Sequence, residues 1–574
     1  MFAPFRYWTG EVDSTGGVGA DSGESSRSLI ASAGAELKND WEIDNSLAGE
    51  YERGSPIGSE GVAQAGSTDN QLKPFESENL LSMSQSDVPA RSTGRRPNII
   101  VLILDCARAK NYWFSGGTDI ARTPNLQRLA RQGAVFPKAV APSNWTIPSH
   151  FSILTGLYPS AHGVRTFERP AVQPDMVSNS LQESGYETAL FSENHLLNGF
   201  GLESGFSVCQ AGGARDWDNE IGVAGRILGA ADSISPGMLL KLVSKLPPLV
   251  APISFVHRRQ EIAYKAAVSS ERTLLGFEDW MTKRDASRPF FVLMNWLDTH
   301  DPYEVVSDGE PVTLLERAYT YSPRMVLVAA PGIRARGKWG PIERGYIRSL
   351  EEADQKLGRL LAAIERVGEA DRTILMVTAD HGQAFGEGGS IYHGSGAADS
   401  VTRVPLVVAW PGGAAGPYRS ERWVSLCELR GYIEALARGL SPSVALVGGE
   451  DGVRAPKLGA EIVYCEGAPP SEHLRSLQQL KGEHEWNHRL IAAYQGDRKI
   501  VLDCASSEVR VWTLDQDPDY TSPVILEREG ARELRSAVFA SYELQDAARA
   551  ERARSGPPGT QVSVDRRLRS WGYD

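Results

Sequence analysis

The sequence predicts an α/β fold: a large, mostly parallel sheet with helices on both faces, followed by a small antiparallel sheet with a helix. Three apolar runs predict buried parallel strands, and each leads into an acid or a histidine; they occupy 96–105, 289–296 and 373–379. Helical patterns separate these runs, and strands that alternate with helices are typical of a parallel sheet. After residue 410 the pattern changes to short strands with hairpin-like spacing, which predicts the second sheet.

The chain has 574 residues, enough for more than one domain. Its first part is rich in Gly, Ser, Asp and Glu and holds no lasting apolar period, so we expect a disordered N-terminal extension at 1–95. We expect the main α/β domain at 96–415, with a largely helical insertion at 202–285. The pattern of the insertion favours helices that pack over the core, and a lid or a membrane-surface patch is the alternative. A C-terminal subdomain at 416–555 and a tail at 556–574 complete the prediction.

Composition excludes several classes of protein. The net charge of −12 argues against a nucleic-acid partner, which usually requires a basic surface. The five cysteines are widely spaced without a CxxC pair, which argues against a disulfide framework and fits a reducing compartment. Because no signal-like apolar region follows Met1 and no apolar run reaches membrane-spanning length, we expect a cytoplasmic protein without a transmembrane span.

The first strand, 96–105, is a β-branched run that ends in Asp105, and ligands collect at the carboxyl ends of such strands. Further along, Pro148 predicts that Thr146 is held extended or in a turn, and Ser149 is a good N-cap for the helix that follows. Free N–H groups at a helix N-terminus attract anions, so a hydroxyl there lies where an anion binds. Taken alone, this pattern is more often a capped core helix with an incidental threonine.

The later elements bring further polar residues to strand ends. A helix near 176–184, a strand at 187–192, a helix at 342–367 and a strand at 404–410 surround the other two long strands. The strand at 289–296 leads to His300, and the strand at 373–379 ends in Asp380 and His381. Because parallel strands end at one edge of a sheet, we expect these side chains to lie on one rim. Short strands near 462–464, 490–494, 499–503 and 508–514 and a helix at 530–553 form the predicted C-terminal sheet and its helix.

Oxygen and imidazole donors on one rim could bind a divalent cation. The predicted ligands are Asp105, Thr146, Asp380 and His381. The imidazole favours Mn²⁺ or Zn²⁺, with Ca²⁺ or Mg²⁺ as alternatives, and such an ion lowers the pKa of the Thr146 hydroxyl and makes it a nucleophile. His300 and His393 could hold a second metal, bind substrate oxygens or protonate the leaving group. Cys106 is expected to point away from this rim, because neighbours on a strand alternate.

The order and spacing of these motifs resemble the sulfatase family, within the alkaline phosphatase superfamily. The matching motifs occupy 98–105, 123–126, 145–150, 154–159, 162–163, 298–303, 378–382, 393–394 and 403–407, with a late motif at 511–518. The resemblance implies an alkaline-phosphatase-like fold in which 96–415 is the catalytic domain.

The departures from the family pattern bear on the chemistry. Family sulfatases carry Cys-x-Pro-Ser-Arg, whose Cys or Ser is oxidised to formylglycine, whereas this sequence has Thr146 and His150 at the two ends of that motif. Threonine cannot form that aldehyde, so no formylglycine is expected. A threonine combined with Asp380-His381 is similar to the phospho-transferring branch, which contains phosphodiesterases, phosphonate hydrolases and phosphotransferases.

The resemblance therefore implies a metal-dependent hydrolase that cleaves phosphate monoesters or diesters, or related phosphonate or sulfate esters, through a covalent Thr146 intermediate. The expected substrate is a small-molecule, lipid or glycan ester. His300 and His393 are the further catalytic residues that we expect, and the expected substrate-binding residues are Asn144, His150 and Arg108. The alternatives are a sulfuric ester hydrolase without formylglycine, a phosphotransferase, or a catalytically degenerate binding protein.

Overall fold

The computed structural model describes residues 95–117, 120–166, 169–212, 270–301, 303, 340–387, 391–394, 396–410, 418–440, 460–467, 488–514, 523–526, 530–532, 534–536 and 538–539. All of them lie in one compact unit, Ser77–Asp574. The predictions for 1–94, for most of the insertion and for the tail fall outside these residues, and the domain boundaries stay predictions.

Apolar and β-branched runs form the strands. They are β1 Asn98–Leu104, β2 Gly133–Val135, β3 Ala139–Val140, β4 Glu187–Ser192, β5 Val208–Ala211, β6 Phe290–Trp296, β7 Thr373–Thr378, β8 Ala384–Phe385, β9 Ile391–Tyr392, β10 Leu406–Ala409, β11 Tyr418–Arg419, β12 Val424–Ser425, β13 Ile462–Glu466, β14 Leu490–Gln495, β15 Arg498–Asp503, β16 Val509–Thr513 and β17 Val524–Ile525. Every residue of β1, β6 and β7 is buried, as expected for strands covered on both faces of a sheet.

The helices are α1 Pro124–Ala130, α2 Thr146–Thr155, α3 Pro159–His162, α4 Val177–Glu183, α5 Ser270–Lys283, α6 Gly340–Arg366, α7 Asp399–Thr402 and α8 Glu428–Ala437. Apolar side chains at helical spacing bury one face of the longest of them, α6, including Tyr346, Leu350 and Leu357. Within the described residues, no helix combines the length and the apolar character needed to cross a membrane.

The large sheet has eight strands in the order β11-β2-β10-β7-β1-β6-β4-β5. The central strands β7, β1, β6 and β4 are parallel neighbours, and β10 is antiparallel to β7 and β2. The predicted fold class, a large mostly parallel sheet with a separate small antiparallel sheet, is confirmed. Because β7, β1, β6 and β4 run the same way, their carboxyl ends form one edge, which we call the carboxyl edge.

Two local features differ from the predictions. Helix α2 begins at Thr146, with Trp145 extended before it, so Thr146 lies inside the first turn rather than ahead of the helix. Pro148 fits there because the first N–H groups of a helix have no partner within it. The ends of the predicted insertion belong to the main layers, since β5 pairs with β4 and Phe277 of α5 packs against Phe191. Residues 213–269 lie outside the described part of the chain.

The second sheet is antiparallel, with strand order β13-β14-β15-β16-β17. One face of this sheet packs against Val140 and Trp423 of the main layers. The other face packs against Val538 and Phe539, which lie in the described part of the helix predicted from residue 530. The sheet is thus joined to the main layers through one face, close to the start of α2.

Candidate active site

The carboxyl edge gathers Asp105, which follows β1, with Asp380 and His381, which follow β7. Strands β1 and β7 are adjacent and parallel, so their ends bring the three side chains together. All three are fully buried, and one donor atom from each lies within 4.8 Å of the others. The Nε2 atom of His381 is 3.4 Å from Oδ2 of Asp380 and 4.0 Å from Oδ1 of Asp105. The expected convergence of these donors is therefore present.

Thr146 joins this group from the first turn of α2. Its Oγ1 atom is 3.1 Å from Nε2 of His381. The helix is fixed to the end of β7 because Ser149 Oγ donates a hydrogen bond of 2.6 Å to the carbonyl oxygen of Asp380. Ser149 was expected to cap the helix, and it instead aligns the helix start with the carboxylates. The Thr146 hydroxyl therefore lies at the positive end of α2, next to His381 of the donor group.

The two carboxylates differ in their hydrogen bonds. Asp105 Oδ2 accepts hydrogen bonds from Nδ2 of Asn194 at 3.1 Å and from Nδ2 of Asn295 at 3.3 Å. Asp380 Oδ1 accepts from the backbone N–H of His381 at 2.9 Å, but Asp380 Oδ2 is buried and accepts no hydrogen bond from any described residue. A buried carboxylate oxygen without a donor is costly unless a cation binds it.

Burial raises the pKa of Asp380 to about 7, and the nearby Asp105 carboxylate adds to that rise. Burial also opposes ionisation of Asp105, but the neighbouring histidines, His300 before His381, outweigh it and lower the pKa of Asp105. Burial lowers the pKa of His381, which favours the neutral imidazole that binds metals. A divalent cation fits this donor set, because it offsets two buried carboxylates and supplies a partner for the lone oxygen of Asp380.

His300 and His393 lie on the outer side of this group, with ring centroids 5.1 Å apart. The His393 ring stacks on Tyr392 at 4.0 Å and contacts Trp145 at 5.2 Å, so aromatic packing fixes its plane. Nδ1 of His393 is 2.7 Å from Oε1 of Gln383. If that nitrogen donates to the amide oxygen, Nε2 is the basic nitrogen of the neutral ring.

His300 differs from His393 in its exposure and its charge. Its side chain is partly exposed, and Nδ1 lies 3.4 Å from Oδ1 of Asp301. Burial lowers the pKa of His300, but the carboxylates of Asp301 and Asp105 outweigh it, so its pKa is raised. Donor atoms of His300, Asp301 and His393 also lie within 4.8 Å of one another. The two histidines therefore have the proximity needed for either of their predicted roles, proton donation or a second metal.

The prediction that Cys106 points away from the site is wrong. Cys106 has φ of 68°, in the left-handed region that a residue with a side chain seldom adopts. This backbone turn breaks the strand alternation, and Sγ lies 3.4 Å from Oδ1 of Asp105 and 3.5 Å from Nδ1 of His393. Burial raises the pKa of the thiol well above its usual range, and the Asp105 and Asp380 charges add to the rise.

The three residues expected to bind substrate have other contacts. Arg108 is fully buried between the rings of Tyr346 and Phe385, and its guanidinium group pairs with Glu343 at 2.7 Å and with Glu387 at 3.0 Å. These carboxylates already neutralise the guanidinium charge, so the contacts favour a structural role for Arg108 instead of substrate binding.

Asn144 and His150 are also buried and engaged. Asn144 Nδ2 donates to the carbonyl oxygen of Gly396 at 3.0 Å, and the carbonyl oxygen of Asn144 accepts from the N–H of Gly394 at 2.8 Å. These bonds hold the segment that carries His393. Nδ1 of His150 is 2.9 Å from the carbonyl oxygen of Thr146. Asn144 thus holds the segment of His393 and His150 contacts the first turn of α2, while their expected contact with substrate stays a prediction.

Several residues of the site were missed by the sequence analysis. They include three residues that contact Asp105. Asn194 and Asn295 donate to its carboxylate, and Oγ1 of Thr299 donates to the backbone carbonyl oxygen of Asp105 at 2.5 Å. Asn194 follows β4 and Asn295 lies near the end of β6, so both occupy the carboxyl edge. The position of these two amide side chains at strand ends could have indicated from the sequence that they belong to the site. Gln383, which contacts His393, offered no such signal, because it lies in the segment between β7 and β8 and not at a strand end.

The family model described as Sulfatase matches residues 97–429, more than half of the chain. The protein belongs to the sulfatase family of hydrolases. Choline-sulfatase of Rhizobium meliloti is 22% identical over 472 residues, which cover 74% of this chain and 82% of that protein. Arylsulfatase of Clostridium perfringens is 22% identical over 365 residues, 59% of this chain and 74% of that protein.

Solved structures show the same fold. The phosphonate monoester hydrolase of Agrobacterium radiobacter has a TM-score of 0.50 and 19% identity, and the match covers 80% of this chain and 95% of that one. A 2-O GAG sulfatase has a TM-score of 0.51 and 12% identity, with 82% of this chain and 96% of that chain covered. The predicted resemblance to the sulfatase family is confirmed by the family model, and the solved structures share the fold.

Proposed function

We propose that this protein is a divalent-metal-dependent hydrolase that transfers the phosphoryl group of a phosphate monoester or diester first to Thr146 and then to water. The observation that carries the proposal is the position of Thr146: its hydroxyl lies at the N-terminus of α2, 3.1 Å from Nε2 of His381, and that nitrogen lies 3.4 Å and 4.0 Å from the two buried carboxylates. A helix N-terminus attracts the phosphoryl anion, and the carboxylates provide the charge that holds a cation.

The residues that would hold the ion are Asp105, Asp380 and His381, together with the Thr146 hydroxyl. An imidazole among oxygens favours Mn²⁺ or Zn²⁺, with Ca²⁺ and Mg²⁺ as alternatives. When bound, a divalent ion lowers the pKa of a hydroxyl ligand and neutralises charge on phosphoryl oxygens. The unpartnered Oδ2 atom of Asp380 supports this assignment.

In the proposed reaction Thr146 Oγ1 attacks phosphorus, and the Oγ1–P bond forms as the bond to the leaving oxygen breaks. The hydroxyl proton of Thr146 passes to solvent, and His393 or His300 delivers a proton to the leaving oxygen. Water then attacks the phosphothreonine: a new O–P bond forms, the Oγ1–P bond breaks, and Thr146 recovers its proton. The contacts of His393 with Tyr392 and Trp145 keep its ring in place through both steps.

The preference for phosphate over sulfate rests on the chemistry of threonine. A sulfated threonine lacks the elimination route that formylglycine hydrate supplies, whereas activated water can hydrolyse a phosphorylated threonine. The relatives named above are sulfatases, and one structural neighbour is a phosphonate monoester hydrolase. Sulfate esters and phosphonates are therefore the second candidate substrates, with a small-molecule, lipid or glycan leaving group in each case.

The test is a screen of phosphate monoesters, phosphate diesters, phosphonates and sulfate esters with each of the four metals, followed by intact mass after a rapid quench. We expect phosphoester turnover and a phosphoryl adduct at Thr146. Thr146→Ala should lose turnover by on the order of 10³-fold or more, while Thr146→Ser, which keeps the hydroxyl, should retain much of the rate. Full activity in Thr146→Ala would exclude the covalent route, and turnover of sulfate esters alone would exclude the phosphoester preference.

A further inference from the structure

The thiol of Cys106 lies inside the donor group of the carboxyl edge, and the reaction proposed above does not use it. Its Sγ atom is 3.4 Å from Oδ1 of Asp105, 3.5 Å from Nδ1 of His393 and 3.8 Å from Nδ1 of His381. The side chain is fully buried. The neighbours of this thiol are a carboxylate and two imidazoles, which are common metal ligands, so the thiol is placed to bind a metal together with them.

The backbone of Cys106 is held in a conformation that aims the thiol at these neighbours. A φ of 68° is strained for a residue with a side chain, so the surrounding structure must enforce it. Three hydrogen bonds do so: the N–H of Cys106 donates to Asp380 Oδ1 at 3.4 Å, its carbonyl oxygen accepts from the Tyr346 hydroxyl at 3.0 Å, and the Arg108 N–H donates to the same hydroxyl at 2.8 Å.

The separations match a shared ion. A Zn–S bond of about 2.3 Å and a Zn–N or Zn–O bond of about 2.0–2.1 Å, at a tetrahedral angle, place the two donors about 3.6 Å apart. The distances from Sγ to Asp105 and to His393 lie close to this value. Independently, Asp380 Oδ2 in the same group is buried and accepts no hydrogen bond from the described residues, and a cation would provide the partner that such an oxygen needs.

We propose that Cys106 supplies a thiolate ligand to the ion at the carboxyl edge, next to Asp105 and His393, and thereby selects Zn²⁺ over Mn²⁺, Ca²⁺ and Mg²⁺. This inference rests on the metal site of the proposed function and narrows its choice of ion. On binding, the S–H bond breaks, the sulfur–metal bond forms and the proton passes to solvent. The carboxylates around the thiol disfavour a bare thiolate, and a bound cation reverses that balance.

The choice of metal follows from the donor atoms. Thiolate and imidazole ligands suit zinc, whereas Ca²⁺ and Mg²⁺ favour oxygen ligands alone. In this arrangement Nδ1 of His393 binds the ion instead of the amide oxygen of Gln383. The N–H group at Nε2 can then still donate a proton to the leaving oxygen. The thiol ligand and the proposed proton donation by His393 are therefore compatible.

The test uses the full-length protein, freed of metal with a chelator and reloaded with Co²⁺ as a spectroscopic substitute for Zn²⁺. We expect one equivalent of Co²⁺ and a near-ultraviolet thiolate-to-cobalt charge-transfer band. Cys106→Ser should lose the band and bind Zn²⁺ at least about tenfold more weakly in a chelator competition. Cys106→Asp should also lose the band, and its ratio of Ca²⁺ to Zn²⁺ affinity should rise. Cys465→Ser, another buried cysteine on β13, is the matched control and should keep the band.

Two results would overturn the inference: Co²⁺ bound by the parent without a thiolate band, or a band of parental strength in Cys106→Ser. Either leaves the metal site of the proposed function intact. If the parent protein bound neither Co²⁺ nor Zn²⁺, both the metal site of the proposed function and the Cys106 ligand would be contradicted. X-ray absorption at the zinc edge of the parent reports sulfur in the coordination shell directly, so the inference is decided even if Cys106→Ser fails to fold.

Discussion

Asp380 and Glu466 are two buried carboxyl groups whose pKa burial raises to about 7, yet their surroundings differ. Asp380 belongs to the carboxyl edge, and its Oδ2 accepts no hydrogen bond from the described residues. Glu466 lies at the end of β13, where the second sheet meets the main layers. Both of its oxygens are bonded, to the N–H of Ser160 at 2.9 Å and to Ser160 Oγ at 2.7 Å, and Arg489 lies at 3.3 Å.

The comparison shows that a shifted pKa alone does not identify a functional group. Burial is the main cause in both cases, so the shift reports the surroundings and not the task. The unsatisfied oxygen distinguishes Asp380 from Glu466. Asp380 Oδ2 accepts no hydrogen bond from the described residues and can bind a ligand, whereas both oxygens of Glu466 already accept hydrogen bonds. We therefore expect changes at Asp380 to remove function and changes at Glu466 to alter stability.

The largest effect is expected at Asp380, where a substitution should remove function. Asp380→Asn removes a negative charge from the donor group, so the protein should lose most of its bound metal and its turnover by on the order of 10³-fold or more. Metal analysis and steady-state rates measure both. Asp354→Asn is the matched control, because Asp354 is also buried, but both of its oxygens accept hydrogen bonds, from the N–H groups of Asn125 and Leu126. Stoichiometric metal with parental turnover in Asp380→Asn would place the ion elsewhere.

An intermediate effect is expected on the outer side of the carboxyl edge. His393→Ala should slow esters with poor leaving groups by on the order of 10²-fold, and activated aryl esters much less, because only the former need a proton. The measurement is the dependence of rate on the pKa of the leaving alcohol. His488→Ala, which removes a half-buried histidine that contacts Asp503 of the second sheet, is the control. Equal slowing of all esters by His393→Ala would assign His393 to metal or substrate binding instead.

The smallest effect is expected at Glu466. Its folded-state pKa of about 7 exceeds the ordinary value of 4.5, so the folded protein holds the proton more tightly than the unfolded chain. The contribution of Glu466 to the free energy of unfolding is therefore complete below about pH 4.5 and declines as the pH rises through 7. Glu466→Gln does not titrate, so its stability relative to the parent should rise between pH 5 and 8, by on the order of 1–3 kcal/mol. Turnover should change only a few-fold.

Urea unfolding of both proteins at several pH values in that interval measures this difference. A relative stability that falls with pH would mean that Glu466 is ionised in the folded protein and paired with Arg489.

The fold and the inner donors of the site could be predicted because simple periodicities place them. Strand ends and a helix start locate Asp105, Thr146 and Asp380, and parallel neighbours must bring such ends together. Cys106 could not be placed, since a single residue with positive φ reverses the alternation on which its prediction depended. The surroundings of Arg108 also escaped prediction, because its partners Glu343 and Glu387 are more than 200 positions away along the chain.

The contact between Ser143 and Glu466 has a consequence for biosynthesis. Ser143 Oγ donates to the carbonyl oxygen of Glu466 at 2.9 Å, and the two residues are 323 positions apart. Ser143 lies three residues before Thr146, and Ser160 in the first turn of α3 donates a hydrogen bond to the same glutamate. A ribosome must therefore synthesise β13 before the chain around Thr146 acquires these partners. The closure of so long a loop is a late event in folding, so the growing chain completes its reactive helix only near the end of translation.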